Sequence, residues 1–167
     1  EQDNHNHNIA DGYPVCSVLF ADIVGFTEMS QQLAPDKLVS MLNEIFSHFD
    51  GLAEKHGLEK IKTIGDAYMV ASGIPTPDGN HAKNLANFSL DMQACMQTYS
   101  QSNGLSIEIR IGIHSGPAVA GVIGKKKFIY DIWGDTVNTA ARMESHGKTG
   151  EIHISNLTKE LLGNDYA

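Results

Sequence analysis

Residues 60–72, KIKTIGDAYMVAS, decide the fold of this chain. Two β-type runs, 60–64 and 67–72, flank Gly65-Asp66, and an Asp after Gly between such runs signals a tight hairpin turn. Asp66 therefore stands at a turn. Upstream, residues 15–22, VCSVLFAD, are apolar nearly throughout, as a strand buried on both faces must be, and the run ends on Asp22 before Gly25. Between these segments Leu38, Leu42, Ile45, Phe49 and Leu52 recur at three- and four-residue steps from Pro35 until Gly57, which predicts a long amphipathic helix.

Downstream, Leu85, Phe88, Met92, Cys95 and Tyr99 form the stripe of a second helix. Ile107, Ile109, Ile111 and Ile113 alternate with polar residues, the pattern of a strand with one wet face. A further strand pair is expected over 118–123 and 128–133, a third helix over 135–145 and a short last strand over 151–155. The order β, α, hairpin, α, hairpin, α, β fits an α+β fold: a ferredoxin-like βαββαβ core with an additional hairpin and helix. Its mostly antiparallel sheet is expected to be packed by helices on one face. Residues 1–12 read as a polar linker or tail and 13–167 as one domain.

Composition narrows the function. Against 12 Lys and Arg stand 20 Asp and Glu, a formal charge of -8 that repels a nucleic-acid backbone, so no nucleic-acid partner is expected. Cys16 and Cys95 suggest no disulfide framework, which fits a reducing, cytoplasmic setting. No run approaches the ~18 apolar residues of a membrane span, so no direct membrane contact is expected of this segment. A chain opening at Glu1 with a polar run reads as a piece cut from a larger membrane or multidomain protein. Residues 121–127, GVIGKKK, fail the phosphate-loop pattern, because Val119 stands where Gly belongs and Lys126 where Ser or Thr belongs. The lysines at 125–127 then read as a solvated turn. The eight histidines, His5 and His7 among them, show no zinc-binding spacing.

Two constellations carry chemistry. Asp22 and Asp66 each end a β-type run, and in a split βαββαβ sheet the first strand lies beside the hairpin, which lets the two carboxylates converge. Converging carboxylates suit Mg²⁺ or Mn²⁺, which take oxygen donors, although a lone turn aspartate is more often a cap. Asn138 and Arg142 lie four apart on the third helix and share a face. A guanidinium matches phosphate geometry with its planar fork, whereas a single such pair also marks an ordinary solvated helix face.

Four strings lift both readings: FADIVGFT at 20–27, KIKTIGDAYM at 60–69, RIGIHSGP at 110–117 and YDIWGDTVNTAARMES at 130–145. They resemble the signature segments of class III adenylyl and guanylyl cyclases, in that family's order, and the match runs from about residue 15 to the end. The resemblance implies two Mg²⁺ or Mn²⁺ ions per active site, held by Asp22, Asp66 and the carbonyl of Ile23. It implies Arg110 on the triphosphate, Asn138 positioning the ribose and Arg142 stabilising the transition state. It further implies a homodimer with composite active sites, in which one protomer gives the aspartates and the other the Asn-Arg pair.

The family pattern also puts Lys62 and Asp131 at the purine-reading positions, where guanylyl cyclases carry Glu and Cys. Adenine offers an acceptor at N1 and a donor amine at C6, which match a Lys donor and an Asp acceptor; guanine presents the reverse. The reaction implied is ATP to 3′,5′-cyclic AMP and pyrophosphate, by attack of the ribose 3′-oxygen on the α-phosphorus. A guanylyl or dual-specificity cyclase and a nucleotide-binding regulatory pseudo-cyclase are the alternatives. The family's domain normally continues into strands with a V-K-G-K-G-like triphosphate-binding segment, which this sequence lacks, so the domain reads as short of its C-terminal strands.

Overall fold

The structure is a computed structural model and describes residues 9–124 and 129–166. Strand β1 (Ile9–Ile23) is followed by helices α1 (Phe26–Gln32) and α2 (Pro35–Lys55), then the hairpin of β2 (Glu59–Ile64) and β3 (Ala67–Ser72). Helix α3 (His81–Ser102) leads to β4 (Ile109–Ile123) and β5 (Ile129–Trp133). Helix α4 (Asp135–Ser145), β6 (Ile152–Ile154) and α5 (Asn156–Leu162) complete the order. The sheet runs β2-β3-β1-β4-β5, antiparallel throughout, and β6 adds to β4 in parallel. Among the described residues no helix is long and apolar enough to cross a membrane.

Helix α2 starts on Pro35 as expected and ends in a Schellman turn. Gly57 takes φ +67, its N–H reaches the Glu54 carbonyl and the Leu58 N–H reaches that of Ala53 at 2.9 Å. The stripes of α2 and α3 pack on one sheet face, where Leu19, Ile45, Phe49, Tyr68, Phe88 and Ile111 are buried together.

Three expectations are corrected. The first strand begins at Ile9 and not at Val15, because the polar segment up to Tyr13 forms backbone pairs with β4, from Ile9 opposite Val122 to Tyr13 opposite Ala118. A ladder needs peptide groups rather than apolar side chains, and Pro14 falls in the register shift between Tyr13 and Cys16, where a missing N–H breaks nothing. Second, residues 109–116 of β4 have no wet face, and the helices do not share one side of the sheet. Helix α4 covers the opposite face, its Ala140 buried with Val18, Phe20 and Ala118. Third, residues 109–123 form one continuous strand. Helices α1 and α5 were not expected; each is seven residues long, too short for periodicity to reveal. The lysines at 125–127, Phe128, His5 and His7 lie outside the described residues.

The path of α4 follows from two glycines. A Cβ on Gly112 would lie 2.0 Å from the Glu144 nitrogen, and one on Gly116 would lie 2.6 Å from the Thr136 hydroxyl. Eight helical residues rise ~12 Å and four strand residues ~13 Å, so the two contacts match along the two elements and α4 lies flat on β4.

Candidate active site

Asp22 sits one residue from the end of β1, opposite Ala67 of β3 and Arg110 of β4. The β2–β3 turn, made possible by Gly65 at φ +58, delivers Asp66 next to it. Both acids line a cavity of about 390 Å³ together with Ile23, Thr27 and Arg110. Gly25, at φ +73, turns the chain from β1 into α1 at its rim.

Arg110 grips Asp22 with two prongs, Nη2 donating to Oδ2 at 2.9 Å and Nε donating to Oδ1 at 3.3 Å. Its Nη1 donates to the Ser145 carbonyl at 3.3 Å. Burial first, and the charge of Asp22 second among the raising causes, hold the Asp66 carboxyl above the ordinary carboxylate range, against the opposing pull of backbone N–H groups. Glu144 reaches the same spot from α4, and burial together with Asp22 holds its carboxyl well up.

Three carboxyl groups therefore converge on one guanidinium, an arrangement that added cationic charge relieves. Two carboxylates and the nearby Ile23 carbonyl leave room for water and phosphate oxygens, the donor set that Mg²⁺ and Mn²⁺ take. Among the described residues no group of three or more His, Cys, Asp or Glu side chains forms a cage of its own. The donor set fits a metal completed by its substrate.

Lys62 and Asp131 meet elsewhere. Lys62 Nζ donates to Asp131 Oδ2 at 2.8 Å, and Asp131 Oδ1 accepts the Ile132 N–H at 2.8 Å. These residues belong to β2 and β5, the two ends of the strand path, which a flat sheet would hold ~19 Å apart. The sheet must curl strongly to let them touch.

Asn138 and Arg142 are exposed on the face of α4 turned away from β4. Arg142 Nη2 donates to Thr139 Oγ1 at 3.2 Å. The sequence-predicted residues thus form three groups in one chain: Asp22, Ile23, Asp66 and Arg110; Lys62 and Asp131; Asn138 and Arg142. Among the described residues no hydrogen bond or ion pair joins one group to another.

Glu144, Gly112 and Gly116 belong to this architecture and were missed in the sequence. The available signal was the pair of glycines four apart inside a β-type run, which marks close backbone approach.

The profile of the adenylate and guanylate cyclase catalytic domain matches residues 9–167. An adenylate cyclase of Mycobacterium tuberculosis is 48% identical over 158 residues, covering 95% of this chain and 36% of that protein. The human guanylate cyclase soluble subunit beta-2 is 44% identical over 156 residues, 93% of this chain and 25% of that protein. The chain thus spans about a third or less of these relatives. Among solved structures, the catalytic core of a rhodopsin-guanylyl cyclase with converted specificity, in complex with ATPαS, superposes with a TM-score of 0.90 at 40% identity, covering 95% of this chain and 86% of that one. With the profile matching nearly end to end, this chain belongs to the adenylate and guanylate cyclase catalytic-domain family.

Proposed function

We propose that this domain is an adenylyl cyclase, which converts ATP to 3′,5′-cyclic AMP and pyrophosphate at composite sites of a homodimer. The observation that carries the reading is the contact of Lys62 with Asp131, a donor beside an acceptor in the order that adenine's N1 and C6 amine require. The mycobacterial relative, named an adenylate cyclase, supports it.

Bound at Asp22, Asp66 and the Ile23 carbonyl, two Mg²⁺ or Mn²⁺ ions would supply activation of the ribose 3′-hydroxyl and neutralisation of the triphosphate. The chain's own residues do the rest. Lys62 and Asp131 part from each other to hold the base, and Arg110 turns its fork to the triphosphate. Asn138 orients the ribose so that the 3′-oxygen lies in line with the α-phosphorus and the pyrophosphate bond that breaks. Arg142 offsets the charge that builds on the phosphoryl oxygens.

The exposure of Asn138 and Arg142, away from the acids of their own chain, supports a partner's nucleotide as their target. So does an apolar surface that a second copy would cover: a cavity of about 650 Å³ lined by Tyr13, Pro14 and Pro117, with Val119 and Trp133 at 44% and 36% exposure. Turnover with Mn²⁺ and either ATP or GTP, measured across protein concentrations, tests the reading. Cyclic AMP formation with specific activity rising with concentration is expected. No cyclic AMP, with Arg142→Ala indistinguishable from the unmodified protein, sinks it. Guanylate cyclase relatives keep a second reading in view, and preferential turnover of GTP would select it.

A further inference from the structure

The geometry points to a role for Glu144 that the reaction does not assign: we propose that it is the positioning residue for Arg110, receiving the guanidinium when a divalent cation takes Asp22. The inference rests on the reading of Asp22 as a metal ligand. Arg110 occupies both oxygens of Asp22, at 2.9 and 3.3 Å, and these are the oxygens a cation needs. A cation taking these oxygens competes with the fork for the same lone pairs and repels the guanidinium at close range, so cation binding works to displace the fork.

A displaced guanidinium needs another acceptor. Glu144 Oε1 lies 3.6 Å from Arg110 Nε, just beyond hydrogen-bond distance. The residue is only 9% exposed, and this oxygen has no hydrogen-bond partner in the described structure. A buried carboxyl oxygen without a partner is costly unless some state of the protein satisfies it. Gly112 is what brings it there, since any Cβ at that position would drive the Glu144 backbone off β4. Arg110 also stays tethered at Nη1 by the Ser145 carbonyl at 3.3 Å, the residue after Glu144. A small swing about that tether carries Nε from Asp22 to Glu144. Asp22 is then free for the cation and the fork remains held at the cavity where the triphosphate would lie.

A double-mutant cycle on Mn²⁺ binding, read by the electron paramagnetic resonance signal of free Mn²⁺ without nucleotide, tests this. Glu144→Gln is expected to weaken Mn²⁺ binding about tenfold in the unmodified protein, and under about twofold in Arg110→Met, where no fork needs receiving. Arg110→Met alone is expected to bind Mn²⁺ at least as tightly as the unmodified protein. Equal weakening by Glu144→Gln in both backgrounds would mean that it acts through its charge alone, which overturns the proposal and leaves the metal reading standing. An unmodified protein that binds no Mn²⁺, or binds it equally well with Asp22→Asn, removes both. Should Glu144→Gln fail to fold, the ¹⁵N signal of Arg110 Nε in the unmodified protein decides. It is expected to shift on adding Mg²⁺ while its proton stays protected, and an unshifted signal, or exchange as fast as in a free arginine, overturns the proposal.

Discussion

At the scale of single residues, base choice rests on two side chains and can be rewritten. Replacing Lys62 by Glu and Asp131 by Cys removes the donor and acceptor that suit adenine and places an acceptor opposite guanine N1. We expect the double variant to lose ATP turnover by at least about tenfold and to gain activity with GTP, as measured by kcat/KM for both nucleotides. Gly112 offers a prediction of another kind. Its substitution by Ala puts a methyl group 2.0 Å from backbone of α4, which no rotamer change can relieve. Overpacking against a main chain costs about 3 kcal/mol, so Gly112→Ala should lower the unfolding free energy by that amount, move the urea midpoint down and depress turnover by displacing Asn138 and Arg142. A midpoint unchanged within error would mean that α4 does not lie this close to β4.

At the scale of elements, a chain of hydroxyl groups ties β1, β4, α3 and α5 together through the buried interior. His81 Nδ1 meets Ser17 at 2.6 Å, Ser17 meets Ser115 at 2.7 Å and Ser115 meets Thr158 at 2.9 Å. Thr158 then meets Ser155 at 3.1 Å, and Ser155 meets His114 Nδ1 at 2.6 Å. Four hydroxyl protons serve five links, so one imidazole must donate while the other accepts, and the tautomers of His81 and His114 are tied to each other. Ser115→Ala cuts the chain in the middle and leaves the buried hydroxyls of Ser17 and Thr158 each one partner short. The expected cost is about 1 to 3 kcal/mol by chemical denaturation. Burial holds both imidazoles below the ordinary value of 6.5, so near that pH the unfolded chain binds more protons than the folded one. Their contribution to stability is therefore lost as pH falls through about 6.5. The melting temperature of the unmodified protein is expected to drop more between pH 7 and 5.5 than that of His81→Asn, and parallel curves would contradict it.

At the scale of the whole molecule, composite sites make a prediction that no single chain can satisfy. Asp22→Asn and Arg142→Ala should each be nearly inactive alone. Mixed in equal amounts they should recover about a quarter of the original activity, because half the dimers are mixed and each of those has one intact site of two. Failure of mixing, with both variants folded, would argue against sites shared across the dimer. The sequence by itself determined the elements that long periodic patterns encode: α2, α3, the β2–β3 hairpin and α4 with its bounds at Asp135 and Ser145. Through its four strings it also determined the family, because residue type and spacing along the chain are local properties. It was silent on α1 and α5, and the isoleucine alternation suggested water where α4 lies, since a glycine facing a helix looks no different in a pattern from a glycine facing solvent. Only the tertiary structure decided that Lys62 and Asp131, 69 residues apart on opposite edge strands, touch at 2.8 Å. It alone brought Glu144 under Arg110, because sheet curl and helix docking are set by the packing of all the elements at once.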